Sequence, residues 1–161
     1  MLEAWRLVKE KRVTTAFTGE GAAQTGGRWN SRGIAVVYAS ATRSLAALET
    51  LVHLNPPVRF HYRIIRVEFH ESMVERLALA AIPSDWKMEP PPLSTQQLGD
   101  NWARSLRSAL LAVPSIIIPD ETNYVLNPAH PDFKKITFGR PADFAFDPRL
   151  RPLSRRADTA S

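Results

Sequence analysis

The spacing of apolar and polar positions along the chain predicts several short strands around two helices. Leu2 to Val8 mixes apolar and polar residues at short spacing and reads as a first strand. Ile34 to Ala39 (IAVVYA) is a compact β-branched run, a buried strand carrying Tyr38 near its end. Ser40 or Thr42 can cap the helix that follows, ATRSLAALETLVHL, where Leu45, Leu48, Leu51 and Val52 recur at helical spacing. Asn55-Pro56-Pro57 ends that helix. Phe60 to Phe69 is the next strand, alternating through Phe60, Tyr62 and Ile64 before the pattern shifts at Ile65.

Pro83 to Pro92 is a proline-rich surface excursion carrying Trp86. From Ser94 a second helix is predicted, with Leu98, Trp102, Leu106, Ala109 and Leu110 as its stripe, stopped by Pro114. Ser115 to Ile118 reads as a short buried strand, Asn123 to Leu126 as another, and Lys135 to Phe138 as a late one. Asn127-Pro128-Ala129-His130-Pro131 is a rigid turn. Many short strands with two helices predict an α+β domain rather than a regular βαβ series.

Residues 14 to 33 interrupt this pattern. Gly19, Gly21, Gly26, Gly27 and Gly33 all fall there, five of the chain's seven glycines, and the window reads as one long loop. Long ordered loops are disproportionately functional, so this is the first place to look for a site.

Composition narrows the picture. At 161 residues the chain has the length of a single domain, and with 44% apolar and 23% charged residues its usage is that of a globular protein. It has no Cys, which excludes a disulfide scaffold, thiolate catalysis and cysteine zinc sites and suits a reducing cytoplasm. The formal net charge of +5 raises nucleic acid as a partner. Four Arg and one Asp lie from residue 149 onward, however, and leave a remainder of only about +2. The expected organisation is a domain over 1–148 followed by a basic, mobile tail over 149–161. The longest apolar runs are strand-sized and the N-terminus lacks the order of a signal peptide, so no membrane partner is expected.

Familiar motifs fail. There is no GxxxxGK[ST] phosphate loop and no GxSxG elbow, and His70-Glu71 is followed by Val74 where a zinc protease needs His. A constellation spread over one strand–helix unit remains. Gly26-Gly27-Arg28-Trp29-Asn30 sits in the glycine window, Tyr38 ends a buried strand, and Glu49 borders the buried stripe of the helix after it. A carboxylate at the edge of a core needs a partner or a job, though spacing alone also allows an exposed helix glutamate. Arg28 between glycines and an aromatic residue suits an anionic ligand, or is an ordinary loop arginine. Ser115 could simply cap a turn, and Asn123, Asn127 and His130 could all be turn residues.

The strings GGRWNSRG, VYAS, SLAALETLVH and PSIIIPDETNYVLNPAHPDF occur in one order, and with them the chain from Trp5-Arg6 to Phe138-Gly139 resembles the RES-domain family. That family is named for Arg, Glu and Ser residues, and its members are toxins of bacterial RES–Xre toxin–antitoxin pairs. The resemblance implies a fold like that of ADP-ribosyltransferases, a split and mostly antiparallel β core with helices around an NAD-binding cleft. It also implies cleavage of NAD+ at the nicotinamide–ribose bond, by hydrolysis or phosphorolysis in some members and with transfer of ADP-ribose to a protein in others. NAD+ would be the substrate, with no resident cofactor and no metal.

Carried over by position, the family's Arg falls on Arg28, its Tyr on Tyr38, its Glu on Glu49 and its Ser on Ser115, with Arg6 and Asn127 on further motif positions. The implied roles are Glu49 for the ribose, Tyr38 for the nicotinamide, Arg28 for the diphosphate, and Ser115 for the amide or a phosphate. The implied partner is a cognate Xre-type helix-turn-helix antitoxin, which would leave the toxin itself with no nucleic-acid contacts. The rival reading, a basic nucleic-acid-binding domain, predicts salt-sensitive affinity and no loss of NAD+.

Overall fold

The computed structural model describes residues 1–54 and 61–150. The expected helix end at Asn55-Pro56-Pro57, Phe60 and the tail from Arg151 onward lie outside the described residues. The strands are β1 (Leu2–Lys9), β2 (Val37–Ser40), β3 (Tyr62–Phe69), β4 (Val74–Arg76), β5 (Leu110–Pro114), β6 (Thr122–Leu126), β7 (Thr137–Phe138) and β8 (Ala142–Phe144). The α-helices are α1 (Glu20–Thr25), α2 (Arg43–Leu51) and α3 (Leu93–Ser105). The strands join in one sheet in the order β4-β5-β6-β2-β1-β3-β7, with β8 also on β3, and only the β4–β5 pair is parallel. The fold is α+β, as the pattern predicts. No helix among the described residues is long and apolar enough to cross a membrane.

Both faces of the sheet are covered. On one face α2 packs through Ala46 against Leu7, Tyr62 and Ile64. On the same face α3 packs through Trp102 and Ala103 against Leu111, Val113 and Val125. The opposite face buries Ala4, Val37, Ala39, Val67, Phe69, Leu110, Ala112, Tyr124 and Leu126. This two-sided burial explains the shift in pattern at Ile65. Tyr62 and Ile64 face α2, while Ile65, Val67 and Phe69 face away from it, so the apolar alternation switches from one face of the strand to the other at Ile64-Ile65.

Three expectations are corrected. The glycine window is not all loop, because α1 forms inside it, with Gly19 at φ +78° before the helix and Gly26 at φ +70° after it. The second helix stops at Ser105 instead of running to Pro114. Leu106 turns left-handed at φ +54°, and Ser105 Oγ accepts from the Arg107 N–H. Ala109 and Leu110 belong to the next segment, where β5 is buried on both faces, and their helical spacing from Trp102 was coincidental. Ser115 to Ile118 is consequently not a strand but the first part of the β5–β6 connection.

The sheet is continuous, but β1 and β2 are thinly paired neighbours in it. These strands share a single register pair, Trp5 opposite Ser40. Beyond it Arg6 reaches across, donating from Nη1 to the Tyr38 carbonyl (2.8 Å) and from Nε to the Ala16 carbonyl (2.7 Å). On the helix face, Tyr38 and Ser40 of β2 stand opposite Val125 and Asn123 of β6, between α2 and α3.

Candidate active site

Glu49 sits in the last turns of α2, a helix capped by the Thr42 hydroxyl, which accepts from the Leu45 N–H at 3.1 Å. Its Oε1 accepts two hydrogen bonds, from Ser115 Oγ at 2.7 Å and from Asn123 Nδ2 at 2.6 Å. Among the described residues no hydrogen bond reaches Oε2, and Glu49 as a whole is half-buried. The carboxylate is therefore anchored by one oxygen and presents the other. Of the two readings left open by spacing, the structure selects the partnered one.

Ser115 is fully buried. Its hydroxyl donates to Glu49 and accepts the N–H groups of Ile117 and Ile118, both at 3.1 Å. These contacts occupy the donor and both acceptor positions of the hydroxyl and tie it to Glu49. Asn123 Oδ1 accepts from Ser40 Oγ at 2.7 Å, which adds a third hydrogen-bonding residue behind the carboxylate.

Tyr38 points toward the glycine window. Its hydroxyl donates to Asn30 Oδ1 at 2.6 Å and accepts from the Trp29 N–H at 3.1 Å. Burial pushes this phenol well above the usual tyrosine range. Asn30, wholly buried, also donates to the carbonyls of Ala22 (2.9 Å) and Ile34 (3.1 Å) and so ties α1 and the window to β2. Gly27 lies so close to this group that an added Cβ would stand 2.8 Å from the Tyr38 hydroxyl. From the other side α3 grips the same loop. Gln96 Nε2 donates to the Gly27 carbonyl (3.0 Å), and Asp100 accepts from the Ser31 N–H (2.9 Å) and from the Ser31 hydroxyl.

Arg28 is held by the proline-rich excursion. Its Nη1 donates to the carbonyls of Trp86 (2.7 Å) and Met88 (2.9 Å), and its Nη2 pairs with Glu89. The guanidinium is 10% exposed, against 66% for its carboxylate partner. Arg28→Ala is expected to loosen this excursion, at a cost of about 1–3 kcal/mol for the acceptors left behind. Faster hydrogen exchange at the amides of Trp86 and Met88, which close turns onto Pro83 and Asp85, would report it.

Arg6 is a half-buried cation bonded to carbonyl groups, with no carboxylate on it among the described residues. Desolvation lowers its pKa to about 10, and it stays charged at neutral pH. Asn127 is placed apart from the others. It is 1% exposed, donates to the Ala103 carbonyl at 2.9 Å and accepts from the Ala129 N–H at 3.1 Å, joining the end of α3 to the turn after β6. The structure thus brings Glu49 and Ser115 together and puts Tyr38 on the neighbouring stretch of β2. It gives Arg28 and Asn127 tethering partners elsewhere. Sequence reasoning left Asn123 among turn residues, placed Asn30 in the constellation without giving it a role, and did not assign Ser40 or Asp100 to the site. Only the β2–β6 pairing sets Asn123 opposite Ser40, and only the packing of α3 sets Asp100 against Ser31.

Comparison with known proteins places this geometry in a class. The family model described as the RES domain matches residues 3–147. The Prs ADP-ribosylating toxin of a Sphingobium species (strain YBL2) is 40% identical over 152 residues, covering 91% of this chain and 94% of that protein. A protein named Toxin Res from Yersinia enterocolitica is 37% identical over 149 residues, covering 91% and 98%. The crystal structure of the Mycobacterium tuberculosis MbcT–MbcA toxin–antitoxin complex contains a chain of similar fold, with a TM-score of 0.73 over 92% of this chain and 86% of that one at 17% identity. The class is that of bacterial toxins. Within it, the chain belongs to the RES-domain family.

Proposed function

We propose that this RES-domain toxin cleaves NAD+ at the nicotinamide–ribose bond and drains the NAD+ pool by hydrolysis or phosphorolysis. The observation that carries the proposal is the Glu49 carboxylate, with Oε1 held by two donors and no hydrogen bond on Oε2 among the described residues. Nicotinamide departs with the electron pair of its bond to C1 of the ribose and leaves as a neutral ring. The ribose acquires oxocarbenium character, as in glycoside hydrolysis. Oε2 of Glu49 is suited to accept from the ribose hydroxyls and to face that developing positive charge. A water or phosphate oxygen then bonds to C1, and a water nucleophile gives up its proton.

Two cations support the reading. Arg6, half-buried and with no carboxylate bonded to it among the described residues, adds positive potential from across the sheet that favours an anionic ligand. Arg28 contributes where phosphate oxygens replace its pairing with Glu89. Tyr38, its hydroxyl fixed by Asn30 and Trp29, offers a rigid ring for stacking on nicotinamide. A cognate antitoxin, of the Xre type that the resemblance implies, is the partner proposed to restrain the enzyme, and the MbcT–MbcA complex supports such a pairing.

A second reading, transfer of ADP-ribose to a protein, shares the bond cleavage and differs only in the acceptor. The name of the Sphingobium relative favours it. Incubating the purified protein with NAD+, with and without phosphate, separates these outcomes. Free ADP-ribose indicates hydrolysis, ADP-ribose-1″-phosphate indicates phosphorolysis, and a labelled protein indicates transfer. No release of nicotinamide under any condition rejects the proposal.

A further inference from the structure

We infer that Asn123, held in place by Ser40, is the positioning residue that aims the Glu49 carboxylate. The inference rests on the reading of Glu49 as the group that faces the ribose. Asn123 and Ser40 stand directly opposite each other in the β6–β2 ladder, so their side chains leave the same face of the sheet. The Ser40 hydroxyl donates to Asn123 Oδ1 at 2.7 Å, and Asn123 Nδ2 donates to Glu49 Oε1 at 2.6 Å.

The chemistry permits one orientation of the amide. A carboxylate accepts and does not donate, so only the NH2 end of Asn123 can face it. The Ser40 hydroxyl gives the other end a donor. Turned over, the amide would set its oxygen against the carboxylate and its NH2 against a hydroxyl, and the bond that holds Glu49 would be lost. Ser40 is 4% exposed and lies on a strand, so it marks the direction of the amide from a rigid base.

Ser115 and Asn123 flank the β5–β6 connection, whereas Glu49 is carried by α2. Both donors converge on Oε1, which restrains the rotation of the carboxyl group and leaves Oε2 without a hydrogen bond among the described residues. Asn123 thus acts through Glu49. The charged groups on the surrounding elements include Arg43 in α2, laid over the Trp5 ring at 4.0 Å, Asp100 and Arg104 in α3, Glu3 and Lys9 on the Trp5 side of β1, and Asp120 and Glu121 in the β5–β6 connection; Asp100 is bonded to Ser31 and Glu3 to Arg66. On β1, Arg6 projects from the face opposite Ser40, because its neighbour Trp5 pairs with that residue.

The test compares wild type, Asn123→Asp, Ser40→Ala and Glu49→Gln for nicotinamide release from NAD+ across about pH 5 to 9, with circular dichroism to confirm folding. Asn123→Asp keeps the shape but sets a second carboxylate beside Glu49, and the two then share a proton. The expected result is a kcat lower by about 10- to 100-fold with KM within about threefold, and an acid limb of the rate profile displaced to higher pH. Ser40→Ala frees the amide to turn and is expected to lower kcat about three- to tenfold without moving the limb.

A folded Asn123→Asp protein whose kcat and acid limb match wild type overturns the inference. Should that variant fail to fold, the Ser40→Ala protein decides, and an unchanged kcat there overturns it equally. Glu49→Gln acting as fast as wild type, or a wild type that releases no nicotinamide, overturns the underlying reading of Glu49 instead.

Discussion

Glu49→Ala is expected to lower nicotinamide release by about 10³-fold, the scale seen when one preorganised electrostatic group is removed from a transition state. The reason lies in how the two oxygens are used. Oε1 is occupied by Ser115 and Asn123, and Oε2 is the oxygen left for substrate, so the alanine variant loses both the anchor and the charge. It also leaves a buried donor, Ser115, and a half-buried one, Asn123, without their acceptor, which costs about 1–3 kcal/mol of stability. A melting temperature lower by several degrees is expected, with the fold retained. Glu49→Gln separates the two effects. Its amide oxygen can still accept from Ser115 and Asn123, so it should melt closer to wild type, but it carries no charge to face an oxocarbenium-like ribose and should be nearly as inactive. Chromatographic assay of nicotinamide together with a thermal melt by circular dichroism checks both variants. A Gln variant with wild-type turnover would show that the charge of Glu49 is not what the reaction uses.

The largest effect on stability is expected at Gly99. This residue sits in α3 where the helix crosses the glycine-rich loop, and an added Cβ would stand 1.7 Å from the Trp29 carbonyl oxygen. No side-chain rotation relieves that contact, because the atoms it meets are backbone. Either α3 or the Gly27–Ser31 loop must move. Overpacking of this kind costs about 3 kcal/mol. For a chain of this size that corresponds to a fall in melting temperature of roughly 6–12 °C. The damage would extend to the site, since the same crossing carries the bonds from Gln96 to Gly27 and from Asp100 to Ser31. Displacing the loop also disturbs Trp29 and Asn30, which hold the Tyr38 hydroxyl. Gly99→Ala should therefore lower both the melting temperature and the rate of nicotinamide release, the first measured by differential scanning calorimetry. Gly21→Ala is the control. Nothing lies within 4 Å of a Cβ built there, and no comparable loss of stability is expected.

The proline-rich excursion has a role that its composition did not reveal. Expected as a surface feature, it instead supplies Arg28 with three acceptors, and Trp86 packs beside the cluster formed by Trp29 and Trp102. In this arrangement the guanidinium that the resemblance assigns to a diphosphate already has a carboxylate partner. That partner is the more exposed of the two, so exchange for a phosphate group would begin at Glu89.

By itself the sequence determined the local elements and the identity of the principal residues. The run Ile34–Ala39 marked β2, although the strand itself spans Val37–Ser40, the leucine spacing after Thr42 marked α2, and the edge of that stripe held Glu49. The family motifs were likewise readable in order along the chain, and the family match covers residues 3–147. These features are legible because hydrophobic periodicity and capping are written within a few residues of where they act. What Glu49 touches was decided only by the tertiary structure. Ser115 and Asn123 lie 66 and 74 positions away, and Ser40 and Asn123 lie 83 apart. Their meeting depends on the register of β2 against β6 and on α2 packing over that face. β5 escaped the sequence reading for a related reason. Burial on both faces erases the alternation that marks a strand, and the chance helical spacing from Trp102 to Ala109 filled the gap. Arg28 and Asn127 show the same limit from the other side. Their positions in the motifs were plain, but partners in the excursion and in α3 gave them their work, and long-range packing alone chooses such partners.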